Sequence, residues 1–172
     1  MHVPRTLRSR NYERNSMSVY EKVSSLGIAL LSPPKSVGAF VPFVRNGNLL
    51  FLSGHIAKKD GQPWKGRLGA DMTLAEGKAA ARAAAIDVLG SLQSAAGDLN
   101  EISRIVKLLV LVNSSSTFTE HHLVANGASE LLVEVFGERG AHARSAFGVA
   151  QIPFGSCVEV ELVAEVASSA VR

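Results

Sequence analysis

At 172 residues the chain matches one ordinary domain, a unit of roughly 100–200 residues. With 47% apolar and 19% charged residues it can bury a sizeable core, which excludes the intrinsically disordered class. The formal charge of +3 sits in residues 1–16, where Arg5, Arg8, Arg10 and Arg14 face only Glu13; from Met17 onward 14 basic residues balance 14 acidic ones. A phosphate-tracking protein needs a basic face contributed by its fold, so the balance speaks against a nucleic-acid partner.

Residues 1–16 are polar and unpatterned and are expected to be a disordered tail or an upstream start, with one domain spanning 17–172. An Arg-rich, acid-poor leader also fits a transit peptide, but no apolar face supports that alternative. No apolar run approaches the ~20 residues of a membrane span, so a soluble, cytoplasmic protein without membrane partners is expected. The single Cys157 cannot form an internal disulfide, lacks metal-spaced partners and is expected as a small buried hydrophobe.

In chain order, Val19 to Leu31 predicts a short amphipathic helix stopped by Ser32, Pro33 and Pro34. Val37 to Arg45 and Leu49 to Ser53 predict two strands around Asn46-Gly47-Asn48, a strong hairpin signal. Asp60 to Gly69 reads as a surface loop holding Trp64; its Gly61, Gly66 and Gly69 lack the Lys-Ser/Thr ending of a phosphate loop. Thr73 to Glu76 has capping-box spacing ahead of an Ala-rich helix that Gly97 ends. Ile105 to Val112 is a nearly unbroken apolar run, the pattern of a strand covered on both faces. Thr117 to Glu120 repeats the capping-box spacing and predicts a second helix ending at Gly137. Arg144 to Gln151 and Cys157 to Val166 predict two closing strands joined at Pro153-Phe154-Gly155.

The predicted order is β-β-α-β-α-β-β, an α+β class with two helices covering one face of a single mixed sheet. On the last strand Val158, Val160 and Leu162 point one way, and Glu159, Glu161 and Glu165 the other. The carboxylate face is therefore either solvated or the lining of a polar pocket between subunits.

Four segments, Gly38-Ala39-Phe40-Val41, Leu52-Ser53-Gly54, Arg144-Ser145 and Val158-Glu159-Val160-Glu161, occur in an order and spacing that resembles the YjgF/RidA (endoribonuclease L-PSP-like) family. The likeness spans Val37 to Val166, and the stretch from Thr117 to Arg144 is longer than in the archetypal enamine deaminases. The resemblance implies a chorismate-mutase-like fold, a homotrimer with pockets between subunits, and no metal or organic cofactor. It also implies hydrolysis of small reactive enamine or imine acids to 2-keto acids and ammonia. Carried over, Arg144 holds the substrate carboxylate, as a planar guanidinium suits two parallel hydrogen bonds. Glu159 positions or deprotonates the attacking water. Ser53, Gly54, Asn126, Ser145 and Phe40 line the pocket; an aromatic hydroxyl is usual at the position of Phe40, where this chain has the ring without the donor.

The structural alternatives are an ion pair of Arg144 with Glu134 or Glu138 and a solvated strand face for Glu159. His55 beside Gly54 is a pocket-adjacent candidate for proton handling. The adjacent His121 and His122 cannot converge on one metal and are expected to be exposed. His142 and Ser145 suggest a hydrolase pair but lack the surrounding elbow motif. Beside imine hydrolysis, the sequence admits a non-catalytic module that binds a small carboxylate; an endoribonuclease is disfavoured by the neutral body.

Overall fold

The computed structural model describes residues 17–32 and 38–167. Helix α1 (Val19–Ser25) opens with a capping box between Ser18 and Glu21 and buries Val19 and Val23. It ends six residues before the predicted stop, because Gly27 takes a left-handed φ of +68° and Ile28 turns back to the Val23 carbonyl. Pro33, Pro34 and Val37 lie outside the described residues.

Strands β1 (Phe43–Asn46) and β2 (Leu49–Ile56) form the predicted hairpin, with Gly47 at φ +59° in the turn. Residues 38–42, expected in the first strand, are irregular. The predicted loop from Asp60 holds a small hairpin, β3 (Lys58–Lys59) with β4 (Gln62–Pro63), before its irregular part. Helix α2 (Leu74–Ala96) starts at the expected Thr73–Glu76 capping box and stops at Gly97. It buries Gly77, Ala80, Ala81, Ala84, Val88 and Leu92, a three-and-four-spaced stripe of mostly small residues.

Strand β5 (Ile102–Asn113) extends beyond the predicted run at both ends. Helix α3 (His121–Phe136) begins after Glu120, and the second capping box does not form. The reason is local: Phe118 packs against the core and its N–H turns back to the Ser115 carbonyl, so Thr117 cannot sit at the helix start. Strands β6 (Ala143–Val149) and β7 (Val158–Val166) complete the chain.

The main sheet has the order β1-β2-β7-β5-β6, antiparallel throughout except for the parallel pair β5/β6 that α3 connects. This is the predicted α+β class: one mixed sheet of five strands, with α2 over β2 and β7 and α3 over β5 and β6. The core lies between helices and sheet and includes Leu50, Leu52, Leu108, Val110, Leu131, Val158, Val160 and Leu162. The alternation of β7 is as read from sequence, with Val158, Val160 and Leu162 buried and Glu159, Glu161 and Glu165 on the opposite face. That opposite face also carries Leu109, Leu111, Phe51, Phe147 and Val163 and is left uncovered by α2 and α3. No helix among the described residues is long and apolar enough to cross a membrane.

Candidate functional site

The predicted site residues gather in two clusters. The first is built on a bulge in β2: Leu52 pairs with Leu162 and His55 with Val160, so Ser53 and Gly54 together stand opposite Glu161. The Ser53 hydroxyl donates to the Val41 carbonyl at 2.7 Å, and the Ser53 N–H donates to the Pro42 carbonyl at 2.9 Å. These bonds draw the segment behind Phe40 onto the bulge; the Phe40 ring itself is half exposed. Any Cβ at Gly54 would collide with the Glu159 carboxylate, so the missing side chain is the space in which that carboxylate sits. Burial, then the charge of Glu161, raises the Glu159 carboxyl above its ordinary value.

The bulge turns His55 the other way. Its Nδ1 lies 2.7 Å from the Ser53 carbonyl and its Nε2 2.6 Å from the Ser91 hydroxyl on α2, so both ring nitrogens are engaged on the helix side. The carbonyl can only accept, which puts the proton on Nδ1 and leaves Nε2 to accept from Ser91. Burial lowers the His55 pKa. The ring braces the bulge from behind and does not face Glu159.

The second cluster lies between edge strand β6 and α3. Arg144 pairs in register with the fully buried Leu108 and so points to the helix face. Its Nη1 donates to Asn126 Oδ1 at 2.9 Å and to Ser129 Oγ at 3.0 Å, and its Nη2 to the His122 carbonyl at 3.1 Å. The Nε–H and one Nη2–H have no partner among the described residues, two donors still available to a carboxylate. The ion pairs considered from sequence do not form: Glu134 takes Arg82 at 2.7 Å, and among the described residues no carboxylate bridges Arg144.

Ser145, next along β6, points to the uncovered face, where Lys107 Nζ donates to its hydroxyl at 2.8 Å. His142 reaches Ser129 and the Gly140 carbonyl, so no His142–Ser145 pair exists. His121 is not exposed as expected: its Nε2 lies 2.9 Å from the Ser114 hydroxyl and its ring stands edge-on to Phe118. Its pKa is lowered by burial and by the neighbouring His122. This pair borders a cleft of about 350 Å³ that Arg67, Ser115 and Gly148 also line, further along β6 on the Arg144 side. No group of three His, Cys, Asp or Glu side chains suited to a metal occurs among the described residues.

Sequence reasoning missed Ser129. Its signal is the three-residue spacing from Asn126, which puts the two side chains on one face of α3.

The decisive relation is between the clusters. Glu159 pairs with Leu111 and points to the uncovered face from β7, whereas Arg144 points to the helix face from β6. With β5 between them, their strands lie about 10 Å apart, and the sheet itself separates the side chains. Within one chain they cannot hold one small substrate.

A mixed five-stranded sheet with two long helices on one face, closing on an Arg-Ser strand and a Glu-alternating strand, defines a protein of the chorismate-mutase-like type. The family described as "YjgF/chorismate mutase-like, putative endoribonuclease" matches residues 21–166, and the chain belongs to it. Protein TCP17 of Trypanosoma cruzi is 48% identical over 149 residues, covering 86% of this chain and 93% of that protein. Among solved structures, Atu1372 of Agrobacterium tumefaciens, of unknown function, is 37% identical with a TM-score of 0.80, covering 87% and 92% of the two chains. A Shewanella oneidensis MR-1 protein described as a putative endoribonuclease is 32% identical with a TM-score of 0.84, covering 87% of this chain and all of its own.

Proposed function

We propose that the protein hydrolyses small imine or enamine acids to 2-keto acids and ammonia, at a site where Arg144 of one copy faces Glu159 of another. The observation that carries this reading is the guanidinium of Arg144, held at three points with two donors left over. A 2-imino acid offers the complementary carboxylate, and two parallel charge-assisted bonds would fix its C2 carbon in space. Protonated imine carbon is electrophilic, so the remaining requirement is a base for water. Glu159, with its carboxyl raised by burial, is closer to neutral proton affinity than an ordinary glutamate and is suited to that role.

The reaction balances without electron transfer. Water adds to the iminium carbon as Glu159 takes one proton; that proton passes to the amine nitrogen, and as the C–N bond breaks Glu159 takes the hydroxyl proton, which leaves the ketone and ammonia, the ammonia picking up that proton on release. No cofactor is called for by these steps. The separation of Arg144 and Glu159 on opposite faces supports an assembly of copies, and a homotrimer is the arrangement we favour.

The test uses 2-iminobutanoate generated in situ by a threonine dehydratase, with ammonia and keto-acid release followed against time. The full chain is expected to speed release and the Arg144→Ala variant to lose the gain. Equal rates with and without the protein would remove the reading.

Phe40 favours a second reading, a carboxylate-binding module without turnover, because its half-exposed ring offers no hydroxyl to the pocket. Thermal stabilisation by 2-keto acids without imine hydrolysis would select it. Ribonuclease activity, the designation carried by some relatives, has less support in a body whose charges balance from Met17 onward.

A further inference from the structure

Arg144 is not held by α3 alone. The Gly140 carbonyl lies 2.6 Å from His142 Nδ1, His142 Nε2 lies 3.0 Å from Ser129 Oγ, and Ser129 Oγ lies 3.0 Å from Arg144 Nη1. A guanidinium can only donate and a carbonyl can only accept, so the two ends set the direction of every bond between them. Arg144 donates to the Ser129 oxygen, the Ser129 proton goes to His142 Nε2, and the His142 Nδ1 proton goes to Gly140. Bonds aligned in one direction polarise and strengthen one another. While the site is empty the arrangement favours a neutral imidazole, since a proton on Nε2 would place a second cation one hydroxyl away from the guanidinium.

We propose that Ser129 and His142 are positioning residues for Arg144, and that carboxylate binding at Arg144 is linked to proton binding at His142. The proposal rests on the reading of Arg144 as the carboxylate site. An empty site leaves the guanidinium charge unbalanced and opposes a proton on His142; a bound carboxylate cancels that charge and favours the proton. By reciprocity the carboxylate binds more tightly as pH falls through the His142 titration.

Arg144 is the charged group whose field reaches this ring; burial and that field lower the His142 pKa, against the Gly140 hydrogen bond. The other charges nearby are committed elsewhere or outward. On α3, Glu130 and Glu134 pair with Lys78 and Arg82 of α2, and the His122 side chain is exposed. In the turn after α3, Arg139 donates to the carbonyls of Asn100 and Ile102, and Glu138 is exposed. On β5, Lys107 serves Ser145 on the opposite face.

The experiment is an NMR titration of the histidine ring signals in the full chain, with His142 assigned through a His142→Gln variant. Arg144→Gln is expected to move the His142 midpoint up, because it removes the cation one hydroxyl away from the ring. Saturating 2-ketobutyrate is expected to move it the same way in the unaltered chain. Ser129→Ala should weaken 2-ketobutyrate binding about tenfold, the scale of one hydrogen bond to a charged group. Ser129→Thr, which keeps the hydroxyl, should recover it. A His142 midpoint indifferent to Arg144→Gln, or keto-acid binding that leaves it unmoved, overturns the proposal. If Arg144→Gln moves the midpoint but no keto acid binds, the positioning chain stands and the imine-hydrolase reading falls.

Discussion

Glu159 and Gly54 show how one residue type makes room for another. The carboxylate occupies the space a Cβ at Gly54 would fill, and its burial raises the carboxyl pKa. The sign of the stability effect follows: a carboxyl raised on folding stabilises the protein below the ordinary glutamate range, and that contribution is lost as pH rises through the folded value. Above the folded value the charged carboxylate, half-buried beside Glu161, is disfavoured in the folded chain. Glu159→Gln should raise the melting temperature at pH 7 but not at pH 4, while lowering imine turnover by roughly 10² to 10⁴-fold. Scanning calorimetry at the two pH values and a turnover assay check both halves. The alternation that puts Glu159 opposite the core was legible in the sequence; its grouping with Ser53 and Gly54 was an expectation from the resemblance. The orientation of His55 was not legible. A regular strand alternates, and only the bulge, hinted at by Gly54, resets the face on which His55 lands.

At the scale of elements, α3 holds the Arg144 cluster, and its close approach to α2 fixes where α3 lies. A Cβ on Gly127 would meet the Lys78 carbonyl of α2, and the Lys78–Glu130 and Arg82–Glu134 pairs run along the same seam at 2.8 and 2.7 Å. Both pairs are well exposed and add little; the small residues decide the spacing. Gly127→Ala should lower stability by about 1–3 kcal/mol in urea unfolding, although alanine is the better helix former, since backbone cannot yield to the added methyl. Element order and the α2 capping box were readable because both depend on local pattern. The start of α3 was misread, since Phe118 seeks the core and displaces the helix start past Glu120. Ser129 went unnoticed for a related reason: a lone serine in a helix signals nothing until the strand opposite supplies Arg144.

For the whole molecule, the single Cys157 reports on the integrity of the fold. It is fully buried just before β7, and burial pushes its thiol up to about 11. At pH 8 a thiol reagent should therefore label it at the rate of opening rather than at the rate of a free thiol, and mass spectrometry after added urea should show labelling that tracks unfolding. The proposed trimer rests on resemblance, because a sequence cannot say what covers a sheet face; under the proposed function the geometry gives a reason why one chain would be insufficient. Arg144 and Glu159 stand on opposite faces with β5 between them. The most direct measurement is complementation: Arg144→Ala and Glu159→Gln, each expected to be inactive alone, are unfolded together, refolded as a mixture and assayed for imine hydrolysis. Sites shared between copies will regain a substantial fraction of the unaltered activity, because some interfaces then join an intact Arg144 to an intact Glu159. Mixed assemblies that form but remain as inactive as their parents would contradict the shared site.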